Sequence, residues 1–140
     1  MDDDIKNFTE EDGKKELEKG YKRAEKLLKD EDKMETFLYR LENKLNKVPI
    51  GGEILSMIPV MISMLRSYIK KEYKDIPIGT VIALISALLY WLAPLDIIPD
   101  ALPVAGYVDD ATVVAACLKL INDDLKEYKE WRKKNKEELV

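Results

Sequence analysis

The 140-residue chain contains no histidine, and that absence removes a large share of enzyme chemistry. Without imidazole there is no Ser-His or Cys-His nucleophile pair, no histidine general acid-base catalysis, and no metal site built on His. Cysteine is nearly as scarce. Cys117 stands alone, so no internal disulfide can form, and its apolar neighbours read as core rather than as the setting of a nucleophile. Positive charge is missing over a long interval, with no Lys or Arg between Lys74 and Lys119, and residues 76–95 carry no charged side chain at all. The first residues do not have the pattern of a basic, apolar leader. The start, Met1-Asp2-Asp3-Asp4, is acidic, which sets the expected location as the cytoplasm or a cytoplasmic membrane face.

What is present is ample for one folded domain. At this length a chain buries roughly two-thirds of the surface it exposes when unfolded, and 46% hydrophobic residues against 36% charged exclude both a disordered tail and a uniformly apolar membrane protein. With 23 basic and 27 acidic side chains the formal charge is −4, which disfavours nonspecific nucleic-acid binding and acidic substrates alike. The first 50 residues hold 14 acids and 12 bases in near-alternation.

Taken in order, Thr9 is a good N-cap, followed by Glu10, Glu11 and Asp12 in a first turn where carboxylates oppose the helix dipole. Leu17, Tyr21, Ala24 and Leu28 form one narrow stripe, weakened slightly by Gly20. Lys29-Asp30-Glu31-Asp32 supplies a turn and a new cap, and Met34, Leu38, Leu41, Leu45 and Val48 repeat the spacing. The two stripes predict an antiparallel helical hairpin that packs on the domain's own core, in preference to a coiled-coil docking arm. Pro49-Ile50-Gly51-Gly52 breaks the chain. No Lys-Ser/Thr follows the glycines, so a phosphate loop is not expected. The next helix carries Ile54, Leu55, Ile58, Met61, Ile62, Leu65, Tyr68 and Ile69 and should restart with Pro59 in its first turn.

Ile78 to about Ala93 is apolar around its circumference and should lie at the centre. Gly79, Ala83, Ala87 and Tyr90 give it a small-residue face that should meet Ala111 and Ala115 of the last helix in the tightest pair. The twenty uncharged residues from Ile76 to Leu95 meet the length test for a bilayer span. Against that, Pro77 and Pro94 leave roughly 16 helical residues and about 24 Å, short of a ~30 Å hydrocarbon core. Burial in a bundle is the expectation and embedding in a membrane the alternative. The last helix should run from about Val108 to the low 130s, with Leu125, Tyr128 and Trp131 forming an edge that meets the N-terminal hairpin. The basic tail Arg132-Lys133-Lys134-Asn135-Lys136 beside Trp131 could touch anionic lipid, but Glu137 and Glu138 dilute it to an ordinary solvated helix end.

Between these last two helices lies the most distinctive stretch, residues 94–110, with Pro94, Pro99 and Pro103 among large apolar side chains and the aspartates Asp96, Asp100, Asp109 and Asp110. Each proline removes a backbone donor and fixes φ, so the chain must turn here. The four carboxylates could gather a hard divalent cation. Capping accounts for more. Asp96, Asp100 and the Asp109-Asp110 pair each precede a stretch with free backbone N–H groups, and prolines fit a first helical turn. A catalytic role is weaker again, since the general acid would have to be another aspartate.

The run Ala93-Pro94-Leu95-Asp96-Ile97-Ile98-Pro99-Asp100, then Leu102-Pro103 and Gly106-Tyr107-Val108-Asp109-Asp110, resembles the signature of the YkvA-like family, domain of unknown function 1232, which is widespread in bacteria. The resemblance covers roughly Pro59 to Asp123 and leaves the N-terminal hairpin outside. It implies a small helical domain, often described as membrane-associated, with no established activity, cofactor or catalytic residue. Where the family pattern usually has Ser, this chain has Ala93, which speaks against a hydroxyl function there.

The expectation is therefore an all-α bundle of about five helices: an amphipathic hairpin over 1–48, a three-helix apolar core with a Pro/Asp-rich connection over 49–125, and a charged helix end over 126–140. Its function would be that of an interaction or scaffold module, in the cytoplasm or at a membrane surface, with no cofactor and no catalytic residues. Among partners, nucleic acid is excluded, a membrane surface or a second copy of the chain is allowed, and the protein partner is unspecified. The alternative is a divalent-metal-binding protein or metal-dependent enzyme using Asp96, Asp100, Asp109 and Asp110.

Overall fold

The computed structural model describes residues 10–47, 53–92 and 110–138, and every regular element among them is helical. The elements are α1 (Glu10–Lys19), α2 (Tyr21–Leu28), α3 (Glu31–Lys47), a 3₁₀ turn (Leu55–Met57), α4 (Ile58–Ile69), α5 (Ile78–Leu92) and α6 (Asp110–Glu138). They form an all-α bundle. Thr9, Val48 and the Gly51-Gly52 pair lie outside the described residues.

The helix boundaries follow local chemistry. Asp30 caps α3, its Oδ1 accepting the backbone N–H of Lys33 at 3.1 Å. Pro59 sits in the first turn of α4, where its missing N–H costs nothing, and the preceding residues form the 3₁₀ turn instead of a continuous helix. At the other end of α4, Glu72 N–H donates to Ser67 O at 2.9 Å and Lys71 N–H to Tyr68 O at 3.0 Å, a Schellman closure. Lys71 takes φ 64°, the left-handed conformation that glycine usually supplies. The charged end of α6 stays helical beyond the low 130s, through Glu138. The Asn135 amide donates to Trp131 O at 2.8 Å there.

Apolar on every side, α5 must be surrounded, and it contacts α1, α2, α3, α4 and α6. From Thr80 to Trp91 only Ile82 is less than fully buried. The N-terminal stripes belong to this same core: Leu17, Ala24, Met34, Phe37, Leu38 and Leu41 form one cluster with Leu65, Leu84, Leu88, Cys117 and Tyr128. At 15 residues α5 is about 22 Å long. No described helix is long and apolar enough to cross a membrane.

Three expectations are revised. Gly20 separates α1 from α2 outright, because the helix must come close to Ser86 of α5 at that point. The small-residue face of α5 does meet α6, but through Ala83, whose carbonyl accepts from the Cys117 thiol at 3.4 Å. Gly79 takes no part, with nothing within 4 Å of where its Cβ would be, and Ala115 is only half-buried. Finally, Tyr128 turns to α4, its hydroxyl 2.5 Å from Ser63 Oγ and 3.1 Å from Ser67 Oγ, while Trp131 packs on Tyr73, so this edge does not face the hairpin. The hairpin's first helix meets the other half of α6, where a Cβ on Gly13 would lie 2.5 Å from the Thr112 carbonyl oxygen.

Candidate functional site

Asp96, Asp100 and Asp109 lie outside the described residues, and Asp110 is the first residue of α6, with its side chain likewise outside them. The structure does fix what enters and leaves that stretch. The end of α5 receives a cation from far away in sequence: the Lys44 ammonium of α3 donates to the carbonyl of Trp91 and, at 3.3 Å, to that of Leu92. It also lies 4.6 Å from the centroid of the Trp91 ring. A positive charge there hydrogen-bonds carbonyls of the last described turn and opposes the helix dipole. The interval without Lys or Arg in sequence is thus supplied with one in space.

Among the described residues no group of three or more Cys, Asp or Glu side chains could hold a metal ion. Asp124 is engaged otherwise, accepting from the Thr80 hydroxyl at 2.6 Å and tying α6 to the first turn of α5. Cys117 is fully buried, and burial pushes its thiol from about 9 up to about 12, the opposite of what a nucleophile needs. Tyr73 is also held above the ordinary phenol value, chiefly by burial and then by the carboxylates of Glu127, Asp75 and Asp124. With Tyr128 and Trp131 it makes an aromatic cluster, centroids 4.9 to 5.7 Å apart, that closes the bundle at the α4–α5 connection.

The helical hairpin carries a feature the sequence reading passed over. Lys33, Thr36, Phe37 and Arg40 recur at helical spacing on one face of α3, opposite Arg23, Lys26 and Leu27 of α2. Together with Leu89 and Leu92 from the end of α5 they line a cleft of about 510 Å³. Its floor is apolar, with Phe37 and Leu89 buried and Leu27 and Leu92 half-buried. Its rim is basic: Arg23, Lys26, Lys33 and Arg40 are exposed, and Asp32 is the single acid in the lining. Arg23, Lys26 and Lys33 make no ion pair within the described residues. A net charge of −4 therefore conceals a local surplus of cations, because helix geometry sorts side chains that alternate in sequence onto different faces. The spacing 33, 36, 37, 40 across from 23, 26 and 27 was the available signal.

The described residues form a helical bundle around a buried apolar central helix, with no catalytic set assembled among them, and sequence comparison gives this bundle a family. Residues 80–116, from the first turn of α5 into α6, match the family described as "Protein of unknown function (DUF1232)". The chain belongs to that family. It is 37% identical over 75 residues to the "Uncharacterized membrane protein YkvA" of Bacillus subtilis (strain 168), covering 54% of this chain and 71% of that protein. No solved structure matches.

Proposed function

We propose that this chain is a helical interaction module working at a membrane surface, with no chemistry of its own. The observation that carries the reading is the basic face of the α2–α3 hairpin over an apolar floor, on a chain whose overall charge is negative. A polybasic face is attracted to anionic lipid, whereas the acidic remainder of the surface is repelled by it, so the charge distribution selects an orientation. The Bacillus relative, described as a membrane protein, supports the same setting. The test is flotation with vesicles of phosphatidylglycerol and phosphatidylcholine in equal parts, against phosphatidylcholine alone. Binding to the anionic vesicles that falls with added salt is expected. Absence of binding at low salt would overturn the reading.

The alternative, a divalent-cation site on Asp96, Asp100, Asp109 and Asp110, draws no support from the described residues. Elemental analysis of protein purified without chelator tests it. Stoichiometric metal would replace the membrane-surface reading as the main account.

A further inference from the structure

We infer that the cleft between α2, α3 and the end of α5 is a site for one anionic phospholipid, taking its phosphate on the rim and the first part of an acyl chain on the floor. The choice of lipid as the source of the phosphate rests on the membrane-surface reading above.

The rim and the floor make different demands, and one ligand has to meet both. Arg23 and Lys26, one turn apart on α2, face Lys33 and Arg40, two turns apart on α3. An arginine fork and lysine point charges arranged around a gap suit a tetrahedral oxyanion. Below them Leu27, Phe37, Leu89 and Leu92 offer no hydrogen-bonding side chain, and about 510 Å³ falls within the roughly 300–1,000 Å³ of small-molecule sites. A free phosphate would use the rim and leave the floor wet. An extended acidic peptide would lay backbone N–H and C=O groups along helical walls whose own backbone is already paired, leaving them without partners. A single anionic head joined to hydrocarbon leaves neither surface unused. Asp32 at the rim disfavours a second negative group on that side.

The experiment titrates the full chain with dihexanoyl phosphatidylglycerol, a chain-bearing lipid soluble as a monomer, and follows binding by calorimetry. Saturation at one lipid per chain is expected. The double variant Lys26→Gln, Lys33→Gln should bind about 25-fold more weakly, roughly fivefold for each cation removed. Lys129→Gln with Lys133→Gln, on the exposed face of α6, should leave affinity unchanged. Glycerol phosphate, which has the head and no chain, should bind far more weakly than the lipid. Equal affinity for glycerol phosphate overturns the inference, as does displacement of the lipid by an acidic amphipathic peptide that binds the cleft more tightly. Anionic-vesicle binding without saturable short-chain binding, or without an effect of the double variant, removes the cleft site and leaves the membrane-surface reading standing. Saturable short-chain binding without vesicle binding does the reverse.

Discussion

Ser86 of the central helix donates its hydroxyl to the backbone carbonyl of Leu17 across 2.5 Å, at the turn where Gly20 separates α1 from α2. Both residues are buried, Ser86 at 3% exposure and Leu17 at 0%. The hydroxyl occupies the space a side chain at position 20 would need, with a Cβ there only 2.3 Å from Ser86 Oγ. The break in the first helix and the polar residue inside the most apolar one are therefore a single feature.

That coupling predicts a reversal of sign. Gly20 has ordinary right-handed helical angles, φ −87° and ψ −3°, so alanine is acceptable to the backbone and would ordinarily stabilise by up to about 1 kcal/mol. In the native background, however, Gly20→Ala must turn the Ser86 hydroxyl away from its buried acceptor, at about 1–3 kcal/mol. The net expectation is a loss of about 1 kcal/mol in urea unfolding. In a Ser86→Ala background the Oγ is gone and the nearest Ser86 atom is Cβ at 3.4 Å, so the same substitution should be neutral or stabilising. Equal effects in the two backgrounds would dissolve the link.

Lys71 offers a simpler case. Its φ of 64° places a β-carbon where glycine carries none, while the closing hydrogen bonds come from backbone groups that any residue retains. Lys71→Gly should therefore stabilise the chain by about 1 kcal/mol and raise the melting temperature. A decrease would mean that the lysine side chain contributes more than its backbone strain costs.

Burial of Cys117 sets the behaviour at high pH. Its thiol titrates near 9 when unfolded and near 12 when folded, so between those values the native chain holds a proton that the unfolded chain has lost. Stability is unaffected below about pH 9 and falls as pH rises above it. Tyr73 and Tyr21, both raised chiefly by burial, act in the same direction above the ordinary phenol value. At about pH 10 the wild type should have lost about 1 kcal/mol that Cys117→Ala does not lose, measured against each protein's own value at neutral pH. Parallel pH profiles would place the thiol in contact with solvent.

How much of this was readable in the sequence depended on the range of the interaction. Periodicity located α3 and α4, an unbroken apolar run located α5, and the prolines marked the starts of α4 and α5, because these signals act within a few residues. Gly20 looked like a minor helix weakener, since nothing local announces that Ser86 arrives from 66 residues away. Net charge pointed away from anionic ligands, yet it is a sum over the chain, and Arg23, Lys26, Lys33 and Arg40 meet only when two helices fold side by side. Residues 94–110, the most distinctive in sequence, lie outside the described residues except for Asp110, so capping and metal binding by the four aspartates are decided by experiment on those side chains.

Lys44 joins these two halves, because it carries a polar contact from the basic hairpin to the end of the helix that leads into the aspartate-rich stretch. Its stem is half-buried while its ammonium reaches the Trp91 and Leu92 carbonyls and faces the Trp91 ring. Lys44→Met keeps the apolar stem and removes the charge, which separates packing from electrostatics. The loss of a cation from a partly buried helix C-terminus, with its cation–π contact, should cost about 1–2 kcal/mol. The damage should also be local. Hydrogen exchange should accelerate in the last turn of α5, at residues 89–92, while the middle of that helix keeps its protection. Lys44→Arg retains the charge and should recover most of the stability. Unchanged exchange at residues 89–92 in Lys44→Met would show that the end of α5 is held by apolar packing alone.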